Sequence, residues 1–298
     1  TTLYDTLQLE ANTIRTLPRL PRVGVWGLVI GMPKAGEGNF GIQIAAKDQA
    51  VVYPTTTLLA PSAGTIEFSV KLPETYDPAA PQVRTLLDTI PAAGAARILC
   101  TLQADKLTLS WIDDGNQTRT IETNVRWAAR TVHKLTLVWD AADVTLLADG
   151  IVAGKIDAAK PFGREPLGLT LGNSRDLATP ADVAVAGLRV STAREPLAPA
   201  NIMRVQDTTR NEELSLKMAQ GYDRSLYPLL EQLRKQNVLE VPFAYALAYA
   251  DIGDTVRAMQ AVTPLASDPK HPLYLQAVFL RADLLTDQGE YAKAAEHL

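Results

Sequence analysis

VHKLTLVWDAADVTLLADGIVAG, residues 132–154, decides the architecture of this chain. Lys134 to Trp139 (KLTLVW) and Asp143 to Ala148 (DVTLLA) alternate apolar and polar side chains. A half-buried strand does this because successive side chains point to opposite faces of the sheet. Asp149-Gly150 then stands between the second run and Ile151. A two-residue hairpin turn needs positive φ at both positions, which Asp tolerates and Gly adopts freely, so the pair predicts a tight antiparallel hairpin.

The same period spreads outward on both sides. Thr65 to Leu72 (TIEFSVKL) alternates strictly, and so does Lys106 to Ile112 (KLTLSWI), which breaks at Asp113-Asp114-Gly115-Asn116. Leu167 to Leu171 and Val183 to Val190 extend the series, and Val23 to Met32 (VGVWGLVIGM) is expected as a buried strand or strand pair. Short strands punctuated by Gly, Pro and Asp imply an antiparallel sandwich or jelly roll, not a parallel α/β sheet.

Past Pro196-Leu197-Ala198-Pro199 the period changes from two to 3.6. Residues 201–234 are polar-helical, with Tyr222, Leu226, Leu229, Leu230 and Leu233 on one stripe. Phe243 to Ala261 and Leu273 to Leu298 are Ala/Leu/Tyr-rich helical pairs, broken at Asp251 to Asp254 and at Asp287 to Glu290. Gly253 and Gly289 lie 36 residues apart, near the roughly 34-residue period of one helix-turn-helix repeat family. The expected organisation is therefore multidomain β plus α. A β-sandwich occupies 1–199, a linking helical segment 200–240, and a hairpin-repeat region 241–298.

Two resemblances sharpen this organisation. Phe40-Gly41-Ile42-Gln43-Ile44, Ala50 to Pro54, Gly64 to Lys71, the 132–154 hairpin, Leu169 to Asn173 and Ala186 to Ser191 follow in order. Together they resemble laminin-G-like, concanavalin A-like jelly rolls. Val132 stands where that family usually has Trp, and Leu188-Arg189-Val190 lacks its acidic pair. The resemblance implies a structural role for His133, a protein located outside the cytoplasm, and a calcium ion at the sandwich rim. The candidate ligands are Asp113, Asp114, Asp176 and Asp182, although their spacing has no loop signature. In the helical part, Ala246, Tyr249, Gly253 and Ala258, then Ala282, Leu285, Gly289, Tyr291 and Ala294, resemble the small and aromatic positions of tetratricopeptide repeats. The second unit ends at Leu298 inside a helical pattern and no signal peptide precedes Thr1, so both ends are expected to be boundaries within a longer protein.

Composition narrows the function classes. Hydrophobic residues make up 47% and charged residues 21% of 298, an ordinary globular balance, with net charge −4. Residues 1–200 hold 19 Lys/Arg against 20 Asp/Glu, and the remainder 10 against 13, so neither part has the basic stripe that nucleic acid needs. No apolar run approaches the roughly 18–20 residues that cross a bilayer. Cys100 stands alone and reads as a small buried hydrophobe.

Catalytic constellations are missing. Glycoside hydrolases of this fold set Glu-x-Asp-x-x-Glu on one strand, with carboxyl groups roughly 5–5.5 Å apart when the enzyme retains configuration; the chain has no such triplet. Asp113-Asp114 is adjacent rather than alternate, which favours a turn over a metal or sugar contact. His133, His271 and His297 have no helical ligand spacing, and Gly36-Glu37-Gly38-Asn39 lacks the Lys-Ser/Thr of a phosphate loop. Trp111 and Trp139 are expected to fill the core. Trp127, inside Val125 to Arg130, reads first as packing, with a ligand contact at the rim as its other reading. The expected function is a non-catalytic extracytoplasmic scaffold that binds a protein partner or joins a larger assembly. The alternative is a carbohydrate-binding module of a cell-surface or secreted protein, and a glycoside hydrolase stands behind both.

Overall fold

The computed structural model describes residues 2–5, 28–31, 33–55, 59–91, 97–113, 115–157, 166–194, 227–251 and 253–297. The chain divides into two compact units, Thr1–Leu229 and Leu230–Leu298. The expected boundary near residue 200, with Pro196 to Pro199, lies outside the described residues. So do Trp26, Tyr222 and Leu226.

The first unit is a sandwich of two antiparallel sheets. One contains β1 (Thr2–Asp5), β3 (Lys34–Ala35), β4 (Ile42–Ile44), β6 (Gly64–Lys71), β11 (Val132–Trp139), β12 (Asp143–Ala148), β13 (Ile151–Asp157) and β15 (Val183–Ser191). Its order is β13-β12-β11-β6-β15-β4-β3, with β1 also on β15. The other contains β2 (Leu28–Ile30), β5 (Ala50–Pro54), β7 (Val83–Ile90), β8 (Arg97–Gln103), β9 (Lys106–Ile112), β10 (Thr118–Asn124) and β14 (Gly168–Leu171). Its order is β10-β9-β8-β7-β14-β5-β2. The alternating stretches named from sequence all become strands, and β12 and β13 join through Asp149 (φ 53°) and Gly150 (φ 78°), with Ala148 opposite Ile151.

Alternation builds the core. Ile66, Phe68 and Val70 of β6 face inward with Leu135, Leu137 and Trp139 of β11, against Ile98, Cys100, Leu102, Leu107, Leu109 and Trp111 of the second sheet. Trp111 and Trp139, one from each sheet, are buried with ring centroids 6.1 Å apart and planes tilted by 56°. Each such ring removes about 150–250 Å² from water, an upper estimate of roughly 4–6 kcal/mol. The Trp139 indole N–H donates to the Ala60 carbonyl at 3.1 Å, so its polar atom is satisfied. Gly64 is required beside it, because a Cβ there would lie 2.1 Å from Trp139 Cζ2.

Strands β7 and β10 were not expected. In β7 a bulge between Thr85 and Leu87 and the polar Arg84, Thr85, Asp88 and Thr89 interrupt the alternation. In β10, an edge strand, only Ile121 faces inward with full burial.

The second unit is helical: α1 (227–235), which straddles the division, α2 (Val241–Asp251), α3 (Thr255–Val262), α4 (Tyr274–Asp287) and α5 (Tyr291–His297). The two expected interruptions are its hairpin turns. Gly253 (φ 78°) ends α2 and Gly289 (φ 77°) ends α4, each in the left-handed conformation that favours glycine. Asp254 caps α3 by accepting the Arg257 N–H at 3.1 Å. Ala246 and Ala258, and 36 residues later Ala282 and Ala294, are buried, as close helix approach requires.

Candidate functional site

Several polar side chains of the sandwich are committed to one another. On the hairpin, His133 Nδ1 lies 2.8 Å from Asp149 Oδ2, and the Lys134 N–H donates to Asp149 Oδ1 at 2.8 Å. His133 Nε2 meets Thr131 Oγ1 at 2.6 Å. A carboxylate, an imidazole and a hydroxyl in series have the order of a nucleophilic relay. The Thr131 hydroxyl also lies within hydrogen-bond reach of the Ala128 carbonyl. These contacts tie the 128–133 segment to the β12–β13 turn.

Trp127 belongs to the same cluster. Its ring stacks flat on His133, centroids 4.3 Å apart at 9°, and the residue is only 6% exposed. Of the two readings of Trp127, packing describes its place: one ring face is covered by imidazole and the ring joins the core. Cys100 is buried, and burial pushes its thiol up to about 12.

A second cluster lies on the outer face of the second sheet. Asp88, fully buried, accepts from Arg97 Nε at 2.8 Å and Arg97 Nη2 at 2.7 Å, and from the Arg175 N–H at 2.9 Å. The bidentate fork saturates the carboxylate. A third sits at the β11–β12 connection. Asp143 pairs with Arg194 at 2.8 Å and Lys155 at 3.2 Å, and accepts from the Thr145 hydroxyl; Asp140 shares Arg194 at 2.9 Å. On the outer face of the first sheet, Glu67 of β6 pairs with Lys134 of β11 at 2.8 Å and Arg189 of β15 at 3.5 Å.

Three of the four residues proposed for calcium, Asp113, Asp176 and Asp182, are described. Asp113 Oδ1 accepts the N–H groups of Gly115 and Gln117, both at 2.9 Å, and so organises the β9–β10 turn. Asp114 lies outside the described residues. Asp176 accepts from the Ser174 hydroxyl at 2.6 Å, which holds its carboxyl below the ordinary range, and Asp182 has a left-handed φ of 50°. Among the described residues no group of three His, Cys, Asp or Glu side chains is placed to hold a metal ion.

The helical unit presents a different surface. Leu275 and Phe279, one turn apart on α4, are 64% and 59% exposed; Val256 of α3 and Tyr291 of α5 are also exposed. Tyr245 and Tyr249 stack on α2 with centroids 6.1 Å apart, and the Arg257 guanidinium lies 5.7 Å from the Tyr249 ring. Among the described helices none is long and apolar enough to cross a membrane.

No family model matches the chain, and no curated protein matches it in sequence. Its fold does have solved neighbours. The receptor binding domain of the botulinum neurotoxin C/D mosaic serotype superposes with a TM-score of 0.52 at 7% identity, covering 71% of this chain and 49% of that one. The receptor binding domain of botulinum neurotoxin D gives 0.51 at 8%, covering 72% and 52%. The ligand binding domain of serotype D in complex with N-acetylneuraminic acid gives 0.51 at 7%, covering 64% and 48%. The chain spans about half the length of these neighbours. At such identities the likeness establishes the β-sandwich fold.

Proposed function

We propose that this chain is a non-catalytic, extracytoplasmic binding protein whose sandwich and helical unit both serve attachment to a protein partner or a larger assembly. The observation that carries the reading is the exposed pair Leu275 and Phe279 on α4. Large apolar side chains one helical turn apart are costly in water, and aromatic and aliphatic anchors of this kind form the centres of protein interfaces. The repetition of buried alanines and positive-φ glycines at a 36-residue offset supports a tetratricopeptide-type stacking of the two hairpins. The engagement of Asp88, Asp143, Glu67 and His133 with structural partners supports a role without acid–base chemistry. The extracytoplasmic placement rests on the laminin-G-like resemblance.

The full chain, immobilised and exposed to native extract, is expected to retain a protein that a Leu275→Asp/Phe279→Asp variant of equal thermal stability does not. Equal retention by both would remove the basis of this reading.

A carbohydrate ligand for the sandwich is the second reading. It is favoured by the likeness to a ligand binding domain solved with N-acetylneuraminic acid. Against it, Trp111, Trp127 and Trp139 are buried, and the exposed large apolar residues described on the sandwich are Val83, Val132, Ile151 and Val152. None of these offers the flat ring on which a sugar stacks. A glycan-array signal that survives the α4 substitutions would favour the sandwich instead.

A further inference from the structure

Arg84 of β7 is buried, only 3% exposed, and its Nε and Nη1 have no hydrogen-bond partner among the described residues. Its guanidinium lies over the Tyr76 ring at 5.2 Å from the centroid. An arginine cannot discharge itself by losing a proton, so a buried guanidinium calls for an anion or a full set of acceptors. A ring face attracts the cation but takes none of its N–H groups as a carboxylate would.

The backbone explains why no carboxylate of the same strand neutralises it. Asp88 is four residues away, and in a regular strand both side chains would share one face. The bulge between Thr85 and Leu87 removes that register. Arg84 pairs across with Leu102, a core residue, whereas Asp88 pairs with Leu99 on the other face. Asp88 is in any case saturated by Arg97 and the Arg175 N–H. The bulge therefore sends one charge outward to a partner and the other inward, where no described residue accepts from its Nε or Nη1.

Tyr76 and the chain that carries it cover the guanidinium. Tyr76, itself buried, belongs to the connection between β6 and β7, where its N–H donates to the Pro73 carbonyl at 3.1 Å. Its hydroxyl donates to the Ala104 carbonyl in the β8–β9 turn at 2.8 Å. That bond ties the ring across Arg84, and the hydroxyl proton is already spent.

We propose that Arg84, covered by Tyr76, is the binding site for a small monoanion, a halide or a carboxylate, that enters one end of the sandwich and accepts the unsatisfied guanidinium N–H groups. The Tyr76–Ala104 hydrogen bond is the latch over it. One buried guanidinium with two unpartnered nitrogens matches the charge of a single small monoanion such as formate, acetate or chloride.

The test is thermal unfolding of the full chain at constant ionic strength, with gluconate replaced stepwise by chloride, formate or acetate. The wild type is expected to gain several degrees along a saturating curve, and Arg84→Met to show no dependence. Tyr76→Phe, which loses the latch but keeps the ring, is expected to retain the dependence and to exchange anion faster. A response to chloride alone identifies a halide site, and one to formate or acetate a carboxylate site. Parallel responses in wild type and Arg84→Met, or no response in wild type, overturn the proposal. Should Arg84→Met not fold, the ³⁵Cl linewidth of the folded wild type, competed with formate, decides. No broadening beyond that of the heat-unfolded chain, and no melting response to either carboxylate, overturns it equally.

Discussion

His133 Nδ1 and Asp149 Oδ2 meet at 2.8 Å, joining the start of β11 to the β12–β13 turn. Asp149 holds a left-handed φ of 53° while its other oxygen accepts the Lys134 N–H, so one residue serves the backbone and the side-chain network together. Asp149→Gly keeps the conformation and loses both side-chain bonds, with an expected cost of about 1–2 kcal/mol. Asp149→Ala adds left-handed strain of roughly another 1 kcal/mol. Urea midpoints for the two variants separate these contributions. Equal midpoints would mean that the turn imposes no strain.

Asp88 and Arg97 provide a harsher test. The carboxylate is fully buried and the guanidinium side chain is about one-fifth exposed. Asp88→Ala leaves a mostly buried cation and the Arg175 N–H unpaired, and is expected to destabilise by about 3–5 kcal/mol. Removing both charges should cost clearly less than the sum of the single changes, because the unpaired charge disappears with its partner. A double-mutant cycle measured in urea checks this, and strict additivity would show that the pair is not coupled.

Acid stability should depend on Asp143. Burial alone would raise its carboxyl; the Thr145 hydroxyl and the pairs with Arg194 and Lys155 outweigh this and hold it below the ordinary range. Asp140 beside it is lowered by the N–H groups of Ala142 and Asp143. A carboxylate with a depressed folded pKa stabilises fully above its unfolded value of about 3.9, and that contribution vanishes as pH falls through the folded value. Stability should therefore be flat above about pH 5 and fall steeply below about pH 4. Asp143→Asn should lower the plateau and flatten the acid limb. An acid limb of unchanged depth would assign the titration to other groups.

The legible part of the fold is the part where one face is buried and the other is not. β6, β9 and β11 alternate because their outward residues, such as Glu67 and Lys134, reach water and one another. β7 escaped notice because both of its faces are covered: Asp88 and Thr89 are as buried as Leu86 and Ile90, and a bulge shifts the register midway. β10 escaped because Ile121 is the sole inward apolar residue of an edge strand with little to bury. Contact pairs are harder to read than strands. Nothing in the spacing of Asp88 and Arg97, or of Arg84 and Tyr76, indicates which will meet, since that follows from register and from the bulge. Trp127 packs, but its partner His133 lies six residues on, and nothing in that spacing indicates that the two rings will stack.

The two helical hairpins give a prediction in which steric crowding plays no part. Gly253 and Gly289 have φ of 78° and 77°, and a Cβ on either would meet nothing within 4 Å. In both turns the N–H five residues beyond closes the helix end, Asp254 to the Tyr249 carbonyl and Glu290 to the Leu285 carbonyl, each at 2.9 Å. An alanine therefore costs only the left-handed backbone strain, about 1 kcal/mol at either site. Asparagine, which tolerates that region, should cost less than alanine. Helical ellipticity followed through urea unfolding measures each change. If the hairpins are equivalent units, the two alanine variants lose the same stability within error. A much smaller loss at Gly289 would mean that the second hairpin opens before the first.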